Sequence, residues 1–168
     1  MGYTTDFDGC FKVEPALEPK HREYLDEFAA SRRIKRDPDK ASWISDPVRA
    51  LVGLPVGPEG GYFVGGQKII KEGYDNSVMD YNRPPESQPG LWCQWVPNDD
   101  GTAIEWDQSE KFYDYAEWIE YLIEHFLKPW GYKLNGTVHW YGEEQSDLGK
   151  IVIKDNEVQV MHGEITYR

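Results

Sequence analysis

The hydrophobic positions of this chain alternate between two periods, and the switches mark its elements. Residues 4–13 place Phe7, Phe11 and Val13 at even spacing, which predicts a first strand. Pro19 then opens a segment in which Tyr24, Leu25, Phe28 and Ala29 recur at helical spacing. Glu23, Asp26 and Glu27 lie early in it, and Arg32, Arg33, Lys35 and Arg36 end it, so a helix is predicted over residues 19–34. Residues 37–60 are broken by Pro38, Pro47, Pro55 and Pro58. They predict one short helical turn near 46–51, with Asp46 as its cap and Pro47 in first position. Tyr62–Val64 and Lys68–Ile70 flank glycines and suggest a small hairpin. The stretch Gly73–Gly90 reads as a long ordered loop, which in a compact domain is either functional or hides an element.

The second half is clearer. Leu91-Trp92-Cys93-Gln94-Trp95-Val96 and Thr102-Ala103-Ile104-Glu105-Trp106-Asp107 flank Asn98-Asp99-Asp100-Gly101, a strong hairpin signal. From Phe112 to Lys128 the apolar positions 112, 115, 116, 119, 122, 123 and 126 form one helical face, opposite Asp114, Glu117, Glu120 and Glu124. Pro129 and Gly131 stop it. Tyr132–Tyr141 alternates as a strand. Residues 150–153 and 157–160 form a terminal hairpin about Lys154-Asp155-Asn156. This half therefore reads β-β-α-β-β-β. The predicted class is α+β: an antiparallel sheet with one main helix packed on it, of the split or ferredoxin-like kind, plus an N-terminal strand–helix segment and long ordered loops. One domain over 1–168 is expected, with sub-lobes 1–84 and 85–168 as the alternative.

Composition sharpens this reading. With 168 residues, 39% of them hydrophobic and 14% aromatic, the chain fills a core without staples, and full disorder is excluded. The charge is lopsided: residues 1–84 carry 12 Lys+Arg against 14 Asp+Glu, and residues 85–168 carry 6 against 16. So acidic a half repels phosphate backbones, and no direct DNA binding is expected. Cys10 and Cys93 lack a C-x-x-C spacing, no apolar run reaches membrane length, and no leader is expected. A cytoplasmic protein with two buried thiols is the expectation.

The best candidate site is the aromatic and acidic group Trp92, Trp95, Glu105, Trp106 and Asp107, joined by the loop residues Tyr81, Asn82 and Arg83. An indole beside carboxylates can stack on a sugar, a base or a cation. The competing reading buries Trp92 and Trp106 under the 112–127 helix and leaves the acids solvated. Glu105, Asp107 and Glu110 could divide acid and base roles, but no nucleophile or oxyanion signature accompanies them, so no catalytic residue is assigned. His21, His125, His139 and His162 form no ligand pair, and no metal or cofactor is expected. The basic run Arg32–Arg36 reads as the cationic end of a helix, with phosphate or RNA contact as the sharper alternative. The acidic helix face and the Glu143–Asp147 loop read as solvated, or as a phosphate-backbone mimic.

Met1–Phe7, Arg32–Asp37, Asp80–Pro85, Gln88–Trp95 and Glu110–Tyr113 together resemble an uncharacterised family of small bacterial and phage-associated proteins. The resemblance covers nearly the whole chain and is most specific in the tryptophan block. More loosely, the paired tryptophans, helix and following strand are similar to ferredoxin-like domains of some phage proteins. The family carries no assigned activity, so the resemblance implies a fold and a mobile-element setting but no catalytic residues. The expected function is non-catalytic binding of a protein or small ligand through the aromatic hairpin and adjacent loop. The alternatives are an enzyme acting on a nucleotide or sugar, with Trp95 as stacking platform, and an acidic nucleic-acid mimic.

Overall fold

The structure is a computed structural model and describes residues 2–65 and 75–168. Among these residues the elements run β1 (Asp6–Glu14), α1 (Pro19–Ala30), β2 (Lys35–Arg36), α2 (Pro38–Ala41), α3 (Pro47–Leu51), β3 (Val78–Asp80), β4 (Trp95–Pro97), β5 (Ala103–Trp106), α4 (Tyr115–Leu122), β6 (Lys133–Tyr141), β7 (Leu148–Lys154) and β8 (Glu157–His162). The class is α+β, as the periodicity predicts. The chain divides into two compact units, one made of residues 1–17 and 94–168 and the other of residues 18–93.

The first unit is built on a six-stranded antiparallel sheet of order β4-β5-β1-β6-β7-β8. Both β5 and β6 run antiparallel to β1, which lies between them, so they are parallel to each other and joined through α4. That is a split β-α-β unit. Its central strand comes from the N-terminus, so the first strand belongs with the second half of the sequence. The two tight turns follow local chemistry. Gly101 supplies φ +74° at the end of the β4–β5 turn, where the Asn98 side-chain oxygen accepts from the Ala103 N–H at 3.0 Å. Asp155 and Asn156, both at positive φ, close β7 onto β8 as a two-residue hairpin turn.

One face of the sheet is the core. The pairs Trp95↔Trp106, Phe7↔Trp140, Phe11↔Gly136 and Val13↔Leu134 set its register. Phe7 sits at the centre, with ring centroids 5.4 Å from Trp95, 5.3 Å from Trp106 and 5.0 Å from Tyr115. Trp118, Ile119, Leu122, Ile123, Phe126 and Leu127 are also buried. The predicted helix over 112–128 is α-helical only over 115–122. It widens to a π turn over Ile123–Leu127, where the Lys128 N–H reaches back to the Ile123 carbonyl at 2.9 Å. Asp114 does not cap the helix with its side chain; it takes a left-handed conformation before it.

The opposite face presents Asp6, Asp8, Cys10, Lys12 and Glu14 beside Tyr141, His139, Thr137, Asn135 and Lys133, an arrangement that antiparallel sheets tolerate because one face can stay wet. Cys10 is therefore exposed, contrary to the expectation of two buried thiols; Cys93 is buried. Gly9 is required where β1 meets β6. Its φ is +109°, and a Cβ there would lie 2.5 Å from the Thr137 carbonyl oxygen. Gly9→Ala is expected to cost about 1–3 kcal/mol from backbone strain alone. Gly53→Ala, at φ +73° with nothing within 4 Å, tests the conformational part without the clash. Urea midpoints for the two variants check this; equal losses would mean that the close approach is unimportant.

In the second unit α1 begins at Pro19 as predicted and buries His21, Tyr24, Leu25, Phe28 and Ala29. It ends at Ala30, four residues early. Asp46 precedes α3 but does not cap it. Its carboxylate instead accepts from Arg49 Nε at 2.8 Å and from the Val64 N–H at 3.0 Å. The true cap of this region is Asp37, which accepts from the Asp39 N–H and leads Pro38 into α2. Within the expected 73–90 loop lies β3, paired with β2. Of the expected 62–64/68–70 hairpin, residues 68–70 lie outside the described residues.

Candidate functional site

The basic run is not a solvated helix end. Arg33 is 2% exposed and Arg36 4%. Arg33 Nη2 donates to the carbonyls of Gly61 at 3.0 Å and Phe63 at 2.8 Å, and its guanidinium lies 4.1 Å from the Phe28 ring centroid. Gln88 donates to the same Gly61 carbonyl at 2.6 Å. Arg36 donates to Asp75 and, at 2.7 Å, to Ser77 Oγ, and stacks over Phe63. A guanidinium whose donors meet carbonyls and carboxylates can be buried where a lysine could not.

With its alternate cations turned inward, the backbone of residues 33–37 becomes the frame of a surface. The Arg33 N–H donates to the Leu91 carbonyl at 2.7 Å, Lys35 to Arg83 at 2.8 Å and Asp37 to Ser77 at 2.7 Å. The 77–83 segment and the Leu91-Trp92 segment are thus both hung on one strand-like stretch. Arg32 fixes the tip. Its Nε donates to the Tyr81 carbonyl at 3.0 Å and its guanidinium lies 4.4 Å from the Tyr81 ring centroid, while Nη2 reaches Asn82 Oδ1 at 3.4 Å. Asp80 Oδ1 accepts from the Asn82 N–H at 2.9 Å and locks the turn. Lys35 pairs with Glu59 at 2.9 Å, which raises the lysine pKa; the Glu86 N–H and then Lys35 hold the Glu59 carboxyl below its usual range.

The eight residues singled out from sequence divide four and four between the units. Tyr81, Asn82, Arg83 and Trp92 belong to this surface, and all four are exposed, Tyr81 at 49% and Trp92 at 41%. The other four sit in the sheet unit. Trp95, at 1% exposure, and Trp106 are core residues: Trp95 Nε1 donates to the Tyr115 carbonyl at 2.8 Å and Trp106 Nε1 to the Ser109 carbonyl at 3.1 Å. Trp95 therefore offers no stacking platform. Glu105 and Asp107 lie on the opposite, exposed side of β5 and its extension. Asp107 accepts from the Ser109 N–H at 2.8 Å. Strand alternation separates the acids from the indoles, so no mixed aromatic–carboxylate site forms there.

Sequence reading passed over Trp43, which follows α2 and is 89% exposed. The signal was present: an indole in a polar, proline-punctuated stretch has no apolar partners at regular spacing to bury it. Burial lowers the pKa of His21 and of His125, the latter stacked 3.9 Å from the Tyr121 ring. Among the described residues no group of three or more histidine, cysteine or acidic side chains is placed to hold a metal ion. Among them, too, no helix is long and apolar enough to cross a membrane. Comparison with protein-family models, curated proteins and solved structures finds no match.

Proposed function

We propose that this is a non-catalytic binding protein whose contact surface is the frame of Tyr81, Asn82, Arg83 and Trp92. The observation that supports it is the clamp of Arg32 on Tyr81 and Asn82, which orders an exposed tip before any partner arrives. Tryptophan, tyrosine and arginine dominate the energetics of protein contacts, and a pre-ordered set loses less entropy on binding. Arg83 keeps its side chain 79% exposed although it lies 3.5 Å from Asp80, so its donors face solvent. The proposed partner is a protein or small ligand in the cytoplasm, and the family resemblance makes a phage or mobile-element setting part of the proposal.

Tyr81→Ala combined with Trp92→Ala is expected to abolish partner capture while moving Tm by no more than a few degrees. The comparison is a cross-linking pull-down from host lysate with wild type and double variant side by side. An unchanged set of captured species would remove this surface from consideration. Turnover of a nucleotide or sugar by the purified chain would overturn the non-catalytic reading altogether.

A further inference from the structure

The two edges of the six-stranded sheet are finished differently. β4 is three residues long and closes on Pro97. The Asn98 N–H donates to the Ala103 carbonyl at 2.9 Å, so by alternation the N–H that Pro97 lacks would have pointed outward. A short strand ending in proline is a blunted edge. β8 is the opposite case. It runs for six residues, Glu157–His162, with no proline, no lysine and an unbroken register against β7. Without such devices an edge is a template for a further strand. Val160, Met161 and His162 are exposed along it.

Hydrogen-bond alternation identifies the open groups of this edge. The Gly163 N–H donates to the Leu148 carbonyl at 2.9 Å, so Glu157, Gln159 and Met161 are the β8 residues bonded to β7. Val158, Val160 and His162 aim their N–H and C=O groups away from the sheet. Among the described residues no strand lies beyond β8 to meet them. Their side chains continue the core face. The rows Val138↔Ile151↔Val160 and Gly136↔Ile153↔Val158 carry the buried Val138, Ile151 and Ile153 up to the edge, where Val160 meets water. Charge favours the same strand. The sheet unit carries 7 Lys+Arg against 18 Asp+Glu, yet β8 holds a single carboxylate, Glu157. Two copies of so acidic a unit meet least repulsion along such a line.

We propose that β8 is a self-pairing edge, which joins two copies of this chain by antiparallel β8–β8 contact about a twofold axis at Val160. Such an axis presents the same strand to itself, so the strand must be self-complementary. Centring on Val160 sets it against its own counterpart and sets Val158 against His162 of the second copy. Every outward N–H and C=O of both strands then finds a partner. On the other face Gln159 opposes Met161 and Glu157 opposes Gly163. No carboxylate faces a carboxylate, the pairing that would destabilise adjoining strands. Val160 also links the apolar row of one copy to that of the other. Main-chain bonds supply the affinity and alternate side chains the fit, as in other strand additions. Self-pairing is independent of the Tyr81–Trp92 surface.

The test is sedimentation equilibrium of the full chain at concentrations up to about 1 mM, where even a small contact is populated. The mass is expected to rise from 19.5 kDa toward twice that value. Amide exchange gives the signature of this edge. Protection at Val158, Val160 and His162 should grow with protein concentration, while Glu157, Gln159 and Met161 stay protected throughout. Val160→Pro deletes an outward donor without touching the ladder to β7, and should weaken the dimer by about tenfold or more, equivalent to ~1.4 kcal/mol. Val160→Lys keeps the donor but brings two ammonium groups together at the axis, and should weaken it as much. Tyr141→Lys adds the same charge on the open face of the sheet, where Tyr141 is exposed, and should leave the dimer within about twofold. A chain that stays monomeric, a dimer that survives both Val160 variants, or a dimer broken by Tyr141→Lys overturns the proposal. So does protection of the three outward amides only when a lysate protein is added, which assigns the edge to a foreign strand.

Discussion

Replacing Trp95 with alanine is expected to cost about 3–5 kcal/mol and to lower Tm by on the order of 10 °C. The ring is enclosed by Phe7 at 5.4 Å, Phe11 at 5.5 Å and Phe112 at 5.2 Å, each edge-on. Its N–H satisfies the Tyr115 carbonyl in the first turn of α4. Truncation would open a cavity among these three aromatic rings and break the bond that ties the hairpin to the helix. The neighbouring indole behaves differently. Trp92→Ala, at a half-exposed position, is expected to shift stability by less than about 1 kcal/mol. Urea unfolding of the two variants gives the contrast directly. A Trp95 loss below about 1 kcal/mol would contradict the packing described here.

The second large effect is expected at Arg36 and Asp75, whose side chains are 5% and 1% exposed. Arg36→Met leaves the Asp75 carboxylate buried without its guanidinium, a change that typically costs about 3–5 kcal/mol. The double change Arg36→Met with Asp75→Leu removes both charges and should cost clearly less, so a double-mutant cycle reads out the coupling. Acid provides a second check. Burial works against the charged form of Asp75, but hydrogen bonds from Ser77 and Arg36 outweigh it and hold the carboxyl below its usual range. A depressed carboxyl contributes stability above its unfolded value of about 3.9 and loses it as pH falls through the folded value. The gap between wild type and Asp75→Asn should therefore be full at neutral pH and shrink below about pH 4. A gap independent of pH would show that Asp75 does not titrate with folding.

Local chemistry made much of the fold readable. The β4–β5 turn announces itself through Asn98 and Gly101, the β7–β8 turn through Asp155 and Asn156, and α1 through Pro19 and its apolar stripe. Each of these signals acts over a few residues, so no distant partner is needed to interpret it. The candidate site was legible in part. Of the residues that stand out in the sequence as recognition types, Tyr81, Asn82, Arg83 and Trp92 are exposed, and their two segments are hydrogen-bonded to the backbone of residues 33–35. What organises them was misread, because a basic run looks the same whether its guanidinium groups meet water or buried carbonyls. Arg33 is settled by Gly61 and Phe63, nearly thirty residues away, and no local pattern encodes that meeting.

By itself the sequence determined the α+β class, the two hairpins, the main helix and the strongly acidic second half, since periodicity, turn residues and charge are properties of neighbouring positions. Tertiary structure alone decided that residues 6–14 run between β5 and β6, that β3 pairs with β2, and that Trp95 is enclosed while Trp92 is not. Strand pairing across more than a hundred residues and the final burial of a side chain depend on which surfaces meet. Such meetings are fixed by packing of the whole unit rather than by any stretch of the chain.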